Sequence, residues 1–169
     1  MTRNILFVLC LLSSISLFAQ SDDGDEKTFH FGLGGTLSLP LASLKESTTY
    51  GVGFEVQPSY SFSNEMEVFV QVGVGVFKSK SENGINGNAG SILHIPMIAG
   101  LRFKTNGFFA GGGVGYGIFN IEGLAGKGFM YSPQIGYDGG SIEFGLNYST
   151  TIVKKGSLSY IGLKIFRKL

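Results

Sequence analysis

Five charged side chains stand within segments that otherwise consist of apolar, small or uncharged polar residues: Glu55, Glu67, Arg102, Glu143 and Lys164. Carboxylates beside cations can serve acid-base or nucleophilic chemistry, or they can neutralise one another as buried ion pairs. All five occupy the same face of their segments as four amide side chains, Gln57, Gln71, Gln134 and Asn147. The pattern predicts an internal polar network in which each ion must have a partner.

The two histidines, His30 and His94, are the residues able to act as a base near neutral pH. Ser91 lies close to His94 in sequence, which is too little to identify a nucleophile and its base without geometry. Two histidines without clustered carboxylates make a poor metal site, and the glycine run Gly111–Gly117 lacks the spacing of a nucleotide-binding loop. We predict no enzyme activity, no metal and no cofactor.

The elements that must position these residues alternate strictly between two faces. In residues 66–77 the aliphatic positions recur every second residue, which is the period of a strand. The same analysis predicts eight strands, at residues 28–39, 50–62, 66–77, 92–103, 108–119, 129–137, 141–149 and 159–169. The 27 glycines and 22 Phe and Tyr residues also favour β structure over helix.

Long and short connections alternate along the predicted strands. Residues 40–49, 78–91, 120–128 and 150–158 form the long ones, and residues 63–65, 104–107 and 138–140 form tight turns. Asn106-Gly107 and Asp138-Gly139-Gly140 supply the positive φ angles of hairpins. These connections predict up-and-down antiparallel pairing. Pro58, Pro96 and Pro133 fall within strands, where we expect β-bulges.

The apolar face of these strands carries a single charged residue, Arg167, at the end of the last strand. A Lys or Arg facing the middle of a bilayer costs about 2–4 kcal/mol, so this face is suited to lipid. An open sheet in lipid would leave unpaired backbone groups, so the sheet must close. The sequence therefore predicts an all-β, eight-stranded antiparallel up-and-down transmembrane β-barrel with a side-chain-filled interior. A soluble lipocalin-like carrier, with the apolar face inside, is the alternative fold.

The N-terminus has the three regions of a secretory signal peptide, which we place at residues 1–20. Residues 21–27 read as an acidic disordered leader and residues 28–169 as the barrel. Cys10, the one cysteine, lies within the signal peptide, so the mature chain would have neither disulfides nor thiolate metal sites. The net charge of +1 gives no support for nucleic-acid binding.

Several motifs resemble the outer-membrane β-barrel domain family of small bacterial proteins, which share the OmpA/OmpX-type architecture. Leu93-His94-Ile95-Pro96-Met97 with Gly100-Leu101-Arg102-Phe103 is similar to the fourth strand of the family. Residues 109–117 are similar to its glycine-rich fifth strand and residues 159–164 to its closing strand. Leu169 departs from the usual final aromatic residue. The resemblance implies an outer-membrane location with periplasmic termini, and it implies the fold rather than a biochemical activity.

We therefore expect an integral protein of a Gram-negative outer membrane with a structural, adhesive or surface-interaction role. Its expected partners are outer-membrane lipid, lipopolysaccharide and the barrel-assembly machinery during insertion, and the sequence identifies no external partner. A lipid A-modifying enzyme is the alternative. The longest predicted connection is the candidate external binding loop, with Lys78, Lys80, Glu82, Asn83, Asn86 and Asn88.

Overall fold

The eight strands close into one antiparallel barrel in the computed structural model, which describes residues 28–80, 91–121, 124–154 and 156–169. Each strand pairs with its neighbours in sequence, and the first pairs with the last. The strands are β1 (Thr28–Leu41), β2 (Thr48–Ser61), β3 (Met66–Ser79), β4 (Ser91–Thr105), β5 (Phe108–Ile121), β6 (Leu124–Asp138), β7 (Ile142–Val153) and β8 (Gly156–Lys168). The predicted all-β, eight-stranded up-and-down barrel is confirmed. The predicted signal peptide and leader lie outside the described residues.

Alternation along each strand separates an apolar outer wall from a filled interior. In β3, Val70 is 46% exposed and Val74 is 47% exposed. Phe69 and Gln71, the residues on either side of Val70, are almost fully buried. The other strands follow the same period, so aliphatic and aromatic side chains cover the outside. This arrangement is the reverse of a soluble barrel, and the lipocalin-like alternative does not fit it. No helix among the described residues is long and apolar enough to cross a membrane.

The two ends of the barrel differ. At the terminal end, where β1 begins and β8 ends, strands are joined by the tight turns 62–65, 106–107 and 139–141. Asn106 and Gly107 both have positive φ, as predicted; in the turn after β6 only Gly140 does, whereas Asp138 and Gly139 do not. At the opposite end, the loop end, β1 and β2 are joined by a short helix, α1 (Ala42–Ser47), and β3 and β4 by the longest connection.

Two of the predicted long connections are wrong. Strand β5 ends at Ile121 and β6 begins at Leu124. Strand β7 ends at Val153 and β8 begins at Gly156. Gly126 and Gly128 suggested a loop, but both continue the β5–β6 ladder and lie opposite Phe119 and Gly117. Pairing with a neighbouring strand outweighs the weak local preference of glycine. The helix α1 also lies in a predicted loop, and it forms because Leu44 is buried in the mouth of the barrel.

The predicted β-bulges at the prolines are also absent. The register passes through Pro58, Pro96 and Pro133 without a shift. Each proline pairs normally with one of its two neighbouring strands, and the pairing is interrupted on the other side. The interrupted pairing is with β3 for Pro58 and Pro96, and with β7 for Pro133. A proline lacks only its own N–H, so the loss is confined to one side of the strand. In the described pairing the one register shift lies between Thr48 and Gly51.

Exposed aromatic residues gather towards both ends of the outer wall. Those near the terminal end are Phe29, Phe31, Tyr60, Phe103, Phe108, Tyr137 and Phe144, and those near the loop end are Tyr50, Tyr116, Phe129, Tyr131 and Tyr148. Phe54 lies between the two groups, and Phe62 is half-buried. Tyrosine and phenylalanine at these heights form the two girdles typical of transmembrane barrels. The apolar belt between the girdles is the part of the wall that faces acyl chains.

Inward glycines set the close approach of neighbouring strands. A Cβ atom on Gly115 would overlap the carbonyl oxygen of Met97 on β4 and lie 2.8 Å from the Cα atom of Ile98. Both obstacles are backbone, so the wall itself would have to move. Gly145, another inward strand glycine, has its nearest neighbouring atom 3.6 Å from such a Cβ, at the Phe109 ring.

We therefore expect Gly115→Ala to destabilise the barrel by about 1–3 kcal/mol, the range for overpacking a well-filled site. Gly145→Ala is the matched control and should have little effect, because its methyl group meets only ordinary van der Waals contact. Urea titration of the folded fraction, measured as heat-modifiable gel mobility, gives both values. Equal losses in the two variants would contradict this account of strand spacing.

Candidate functional site

Arg102 is the centre of the largest polar cluster inside the barrel. Its Nη1 atom lies 2.8 Å from Glu143 Oε1 and 3.5 Å from Glu67 Oε1. Its Nη2 atom donates hydrogen bonds to Gln57 Oε1 at 2.8 Å and Gln134 Oε1 at 3.1 Å. All five side chains are buried. A planar guanidinium with several donors can satisfy four acceptors from four different strands.

Two phenylalanine rings enclose the Arg102 guanidinium. Its carbon Cζ lies 4.5 Å from the centroid of Phe69 and 4.4 Å from that of Phe109. Gly136 supplies the space for the Phe109 ring, since a Cβ atom there would overlap it. The cation therefore has ring faces on two sides and carboxylates at its edge, a combination of cation-π contact and charge-assisted hydrogen bonding.

Three further charged residues extend this cluster to the terminal end. Lys104 Nζ lies 2.5 Å from Glu67 Oε2 and 3.1 Å from Asp138 Oδ2. Asp138 and Glu143 are directly opposed in the β6–β7 ladder, where like charges repel. Lys168 relieves that repulsion because its Nζ pairs with Asp138 and lies 3.7 Å from Glu143 Oε2. Sequence analysis missed these three residues, because it assigned Lys104 and Asp138 to turns and, although it placed Lys168 in the last strand, did not include it in the network.

A second, smaller cluster lies nearer the middle of the barrel. Lys164 Nζ is 3.2 Å from Glu55 Oε2, and Gln71 Nε2 donates a 2.6 Å hydrogen bond to the same oxygen. Gly73 leaves room for Glu55, because a Cβ atom on that glycine would approach Glu55 Cγ at 2.6 Å. The structure thus divides the five residues of the predicted network into an Arg102 group and a Lys164 group.

The ion-paired residues of the described interior balance in charge. Four are acidic, Glu55, Glu67, Asp138 and Glu143, and four are basic, Arg102, Lys104, Lys164 and Lys168. A buried ion is tolerated when it is paired and hydrogen-bonded, and removing one partner leaves the other stranded. The lumen therefore presents no excess charge that would draw an ion or charged substrate into it.

Aromatic residues close the interior towards the loop end. His94 stacks on Phe119 with ring centroids 4.1 Å apart, and Tyr160 and Phe77 contact it at 5.5 Å and 6.0 Å. Leu44 of α1 completes this apolar cluster from above. Beside the cluster is a cavity of about 20 Å³, lined in part by Thr36, Glu55, His94 and Tyr160. That volume holds about one water molecule, so the interior is filled rather than open.

The histidines are not arranged for catalysis with Ser91. His94 points inward and is 3% exposed, whereas Ser91, three positions earlier on β4, faces outward. His30 lies at the terminal end, far from both in the barrel wall. Among the described residues there is no group of three or more His, Cys, Asp or Glu side chains placed to hold a metal ion.

The candidate external loop is only partly described. Lys78 lies at the loop end of β3, with its Nζ 6.0 Å from the centroid of Tyr50, and Lys80 Nζ donates a 2.6 Å hydrogen bond to Lys45 O of α1. The other four candidate residues, Glu82, Asn83, Asn86 and Asn88, lie outside the described residues. Sequence analysis predicted Arg167 as the single charged residue of the outer face. This prediction is wrong, because Lys78 and Lys127 also face outward. Both stand at the loop end, where headgroups can solvate them.

A closed barrel with an apolar belt, two aromatic girdles and a filled, charge-balanced interior defines a transmembrane β-barrel protein of the outer-membrane class. The family model described as outer membrane protein beta-barrel domain matches residues 7–165. The chain belongs to this family, and the predicted recognition is confirmed.

Solved structures show the same fold at low sequence identity. The attachment invasion locus protein Ail of Yersinia pestis has a TM-score of 0.60 and 15% identity, covering 85% of this chain and 99% of Ail. Neisserial surface protein A has a TM-score of 0.52 and 12% identity, covering 83% of this chain and 97% of that protein. A second structure of Ail, with a TM-score of 0.56 and 15% identity, is a complex with the heparin analogue sucrose octasulfate, and covers 83% of this chain and 97% of that one. No curated protein matches the chain.

The Arg102 cluster gives a stability prediction. Arg102→Met should destabilise the barrel by about 3–5 kcal/mol, because it leaves buried carboxylates without their cation. Adding Glu143→Gln to that variant should recover part of the loss, because it neutralises one of the stranded carboxylates. Arg167→Met, on the exposed end of β8, serves as the control and should change stability by less than about 1 kcal/mol.

Equilibrium unfolding in urea, followed by gel mobility of the folded barrel, measures all three variants. A loss for Arg102→Met no larger than that for Arg167→Met would show that the buried cluster contributes little to stability.

Proposed function

We propose that this protein is an integral barrel of a Gram-negative outer membrane, with periplasmic termini and a structural, adhesive or surface-interaction role. The observation that carries the proposal is an apolar outer wall around an interior in which ions are paired and aromatic side chains close the mouth. Such an interior offers neither a pore nor a ligand chamber. The surface able to interact is then the loop end, where the longest connection and α1 lie.

The orientation follows from the connections. Barrels of this class have short periplasmic turns and longer external loops, and an even strand number returns both termini to the periplasm. Here the turns 62–65, 106–107 and 139–141 share the terminal end with Thr28 and Lys168. The loop end would accordingly face the outside of the cell, and insertion would depend on the barrel-assembly machinery.

Lysine is in excess at the described part of the loop end. Five lysines lie there beside one acidic residue, Glu46; the lysines are Lys45, Lys78, Lys80, Lys127 and Lys154. This balance favours anionic partners, first among them the lipopolysaccharide that surrounds the barrel. The complex of Ail with a heparin analogue gives a precedent for a polyanion on a barrel of this fold. The candidate loop residues Lys78 and Lys80 belong to this surface.

A lipid A-modifying enzyme is the less favoured function. It would need a nucleophile or base on the outer wall near the girdle, where the acyl esters of lipid A lie. His94 is turned into the interior and is stacked on Phe119, while Ser91 faces the other way. Neither residue therefore supports the other in acyl-transfer chemistry.

Orientation can be tested by labelling single cysteines on intact cells, in a Cys10→Ser background. Lys45→Cys on α1 should react with a membrane-impermeant maleimide, because it lies on the proposed external surface. Asn64→Cys, an equally exposed position in the turn 62–65, is the matched control and should react only after the outer membrane is permeabilised. Labelling of Asn64→Cys alone on intact cells would invert the orientation.

The filled interior predicts an absence of steady conductance in planar lipid bilayers. The mouth is closed by Leu44 and Phe119, the middle by the Lys164–Glu55 cluster, and the part nearer the terminal end by the Arg102 cluster with its two rings. Purified protein should therefore give no long-lived open channel, whereas a general porin measured in the same apparatus should. Stable porin-like current steps from this protein would overturn the proposed role and replace it with transport.

A further inference from the structure

Four hydroxyl-bearing residues meet on the outer wall across β6, β7 and β8. Thr150 Oγ1 and Ser159 Oγ are 3.0 Å apart, Tyr148 lies two positions before Thr150 on the same face of β7, and its ring centroid is 6.5 Å from that of Tyr131. By strand parity all four point away from the lumen, with Thr150 opposite both Tyr131 and Ser159 in the ladders. Thr150 and Ser159 are each 4% exposed, whereas Tyr131 and Tyr148 are 36% and 39% exposed. We refer to these four residues as the hydroxyl cluster.

An apolar groove adjoins the hydroxyl cluster on the side nearer the middle of the barrel. It has a volume of about 250 Å³ and is lined by Pro133, Ile135, Leu146, Tyr148 and Ile161, among others. Pro133 lies where the β6–β7 ladder lapses, and each lining residue on β6, β7 or β8 is within a few positions of the cluster. A groove at this depth of the wall lies in the belt that faces acyl chains.

Two lysines adjoin the hydroxyl cluster on the opposite side, towards the loop end. Phe129 pairs with Ile152; Lys127 lies two residues before Phe129 on β6, and Lys154 lies two residues after Ile152, directly beyond the end of β7. Both are exposed, and within the described part of the chain neither takes part in an ion pair. Like charges on adjacent strands repel, so an anion between them would stabilise this edge of the wall.

We propose that this surface of β6–β8 binds one molecule of lipid A through an acyl chain, its sugar and a phosphate. The acyl chain fills the groove, the sugar hydroxyls exchange hydrogen bonds with the two exposed tyrosines of the hydroxyl cluster, and the phosphate lies between Lys127 and Lys154. The apolar, hydroxyl and cationic zones follow one another along the strands in the order in which a phosphorylated glycolipid presents those groups. The inference rests on the proposed orientation, which places the loop end in the leaflet that holds lipid A.

The hydroxyl cluster distinguishes lipid A from an ordinary phospholipid. A diacyl phospholipid could use the groove and the lysines, but it offers fewer hydroxyl and amide groups to Tyr131 and Tyr148, the exposed members of the cluster. Each hydroxyl has one donor and two acceptor positions, so the cluster keeps capacity for a ligand beyond its internal hydrogen bonds. Selectivity for lipid A over phosphatidylglycerol is therefore expected, in addition to affinity.

The test uses the full mature protein in nanodiscs that carry diphosphoryl lipid A or phosphatidylglycerol in both leaflets. Lipid that stays bound after extraction into mild detergent is quantified by native mass spectrometry. The double variant Lys127→Gln with Lys154→Gln should bind lipid A about tenfold more weakly, since each lysine near an anionic surface contributes to binding. Tyr148→Phe, which keeps the ring, should lower the preference for lipid A over phosphatidylglycerol.

The matched control is Lys45→Gln with Lys78→Gln, which removes the same charge from the same end but from α1 and β3 rather than from beside the hydroxyl cluster. Equal weakening by both double variants would show a diffuse charge effect and overturn the site, as would retained binding in Lys127→Gln with Lys154→Gln. Equal binding of lipid A and phosphatidylglycerol by the native protein would also overturn the proposed site. So would a mass spectrum that shows protein dimers without bound lipid. Lipid A is in both leaflets, so this outcome is independent of orientation, which the cysteine labelling decides.

Discussion

The structure depends on one constraint, that a backbone amide or carbonyl in lipid must find its hydrogen-bond partner within the protein. The pairing of β1 with β8, from Gly32 to Leu41, removes the two edges that an open sheet would expose. Prolines are admitted because each interrupts pairing with one neighbouring strand and leaves the other ladder intact. A closed wall then has two surfaces of opposite character, and the period of two assigns every side chain to one of them.

The contents of the lumen follow from that closure. Side chains turned inward lose contact with bulk water, so ions there need partners and large rings need space. Arg102 meets both needs, with carboxylates and amides around its edge and rings on its faces. Inward glycines open room opposite the bulky residues, as Gly136 does for Phe109 and Gly73 for Glu55. The result is a wall supported from within rather than a channel.

The period of two was enough to predict the strand number, the closure and the outward face, because it is a signal that each strand repeats. Strand ends were harder to predict. Lys104, Asp138 and Lys168 are at or near strand ends, where turn residues and strand residues look alike in sequence, yet their side chains reach the Arg102 group. Strands β5, β6, β7 and β8 are longer than predicted because each pairs with a neighbouring strand, and α1 depends on a single buried leucine. Neither feature has a pattern in the local sequence that would predict it. The lipid-facing hydroxyl cluster required cross-strand register, which no single strand reveals.

Arg102 and its partners also distinguish the observed strand register from a register shifted by two residues. A register shift of two residues keeps the apolar side chains on the outer face, so the alternating pattern alone does not exclude it. Arg102 sits directly opposite Glu67 in the β3–β4 ladder, and a slip of two positions would carry the guanidinium away from its carboxylates. A barrel with a shifted strand would contain unpaired buried ions, so the Arg102 group favours the observed register over the shifted one.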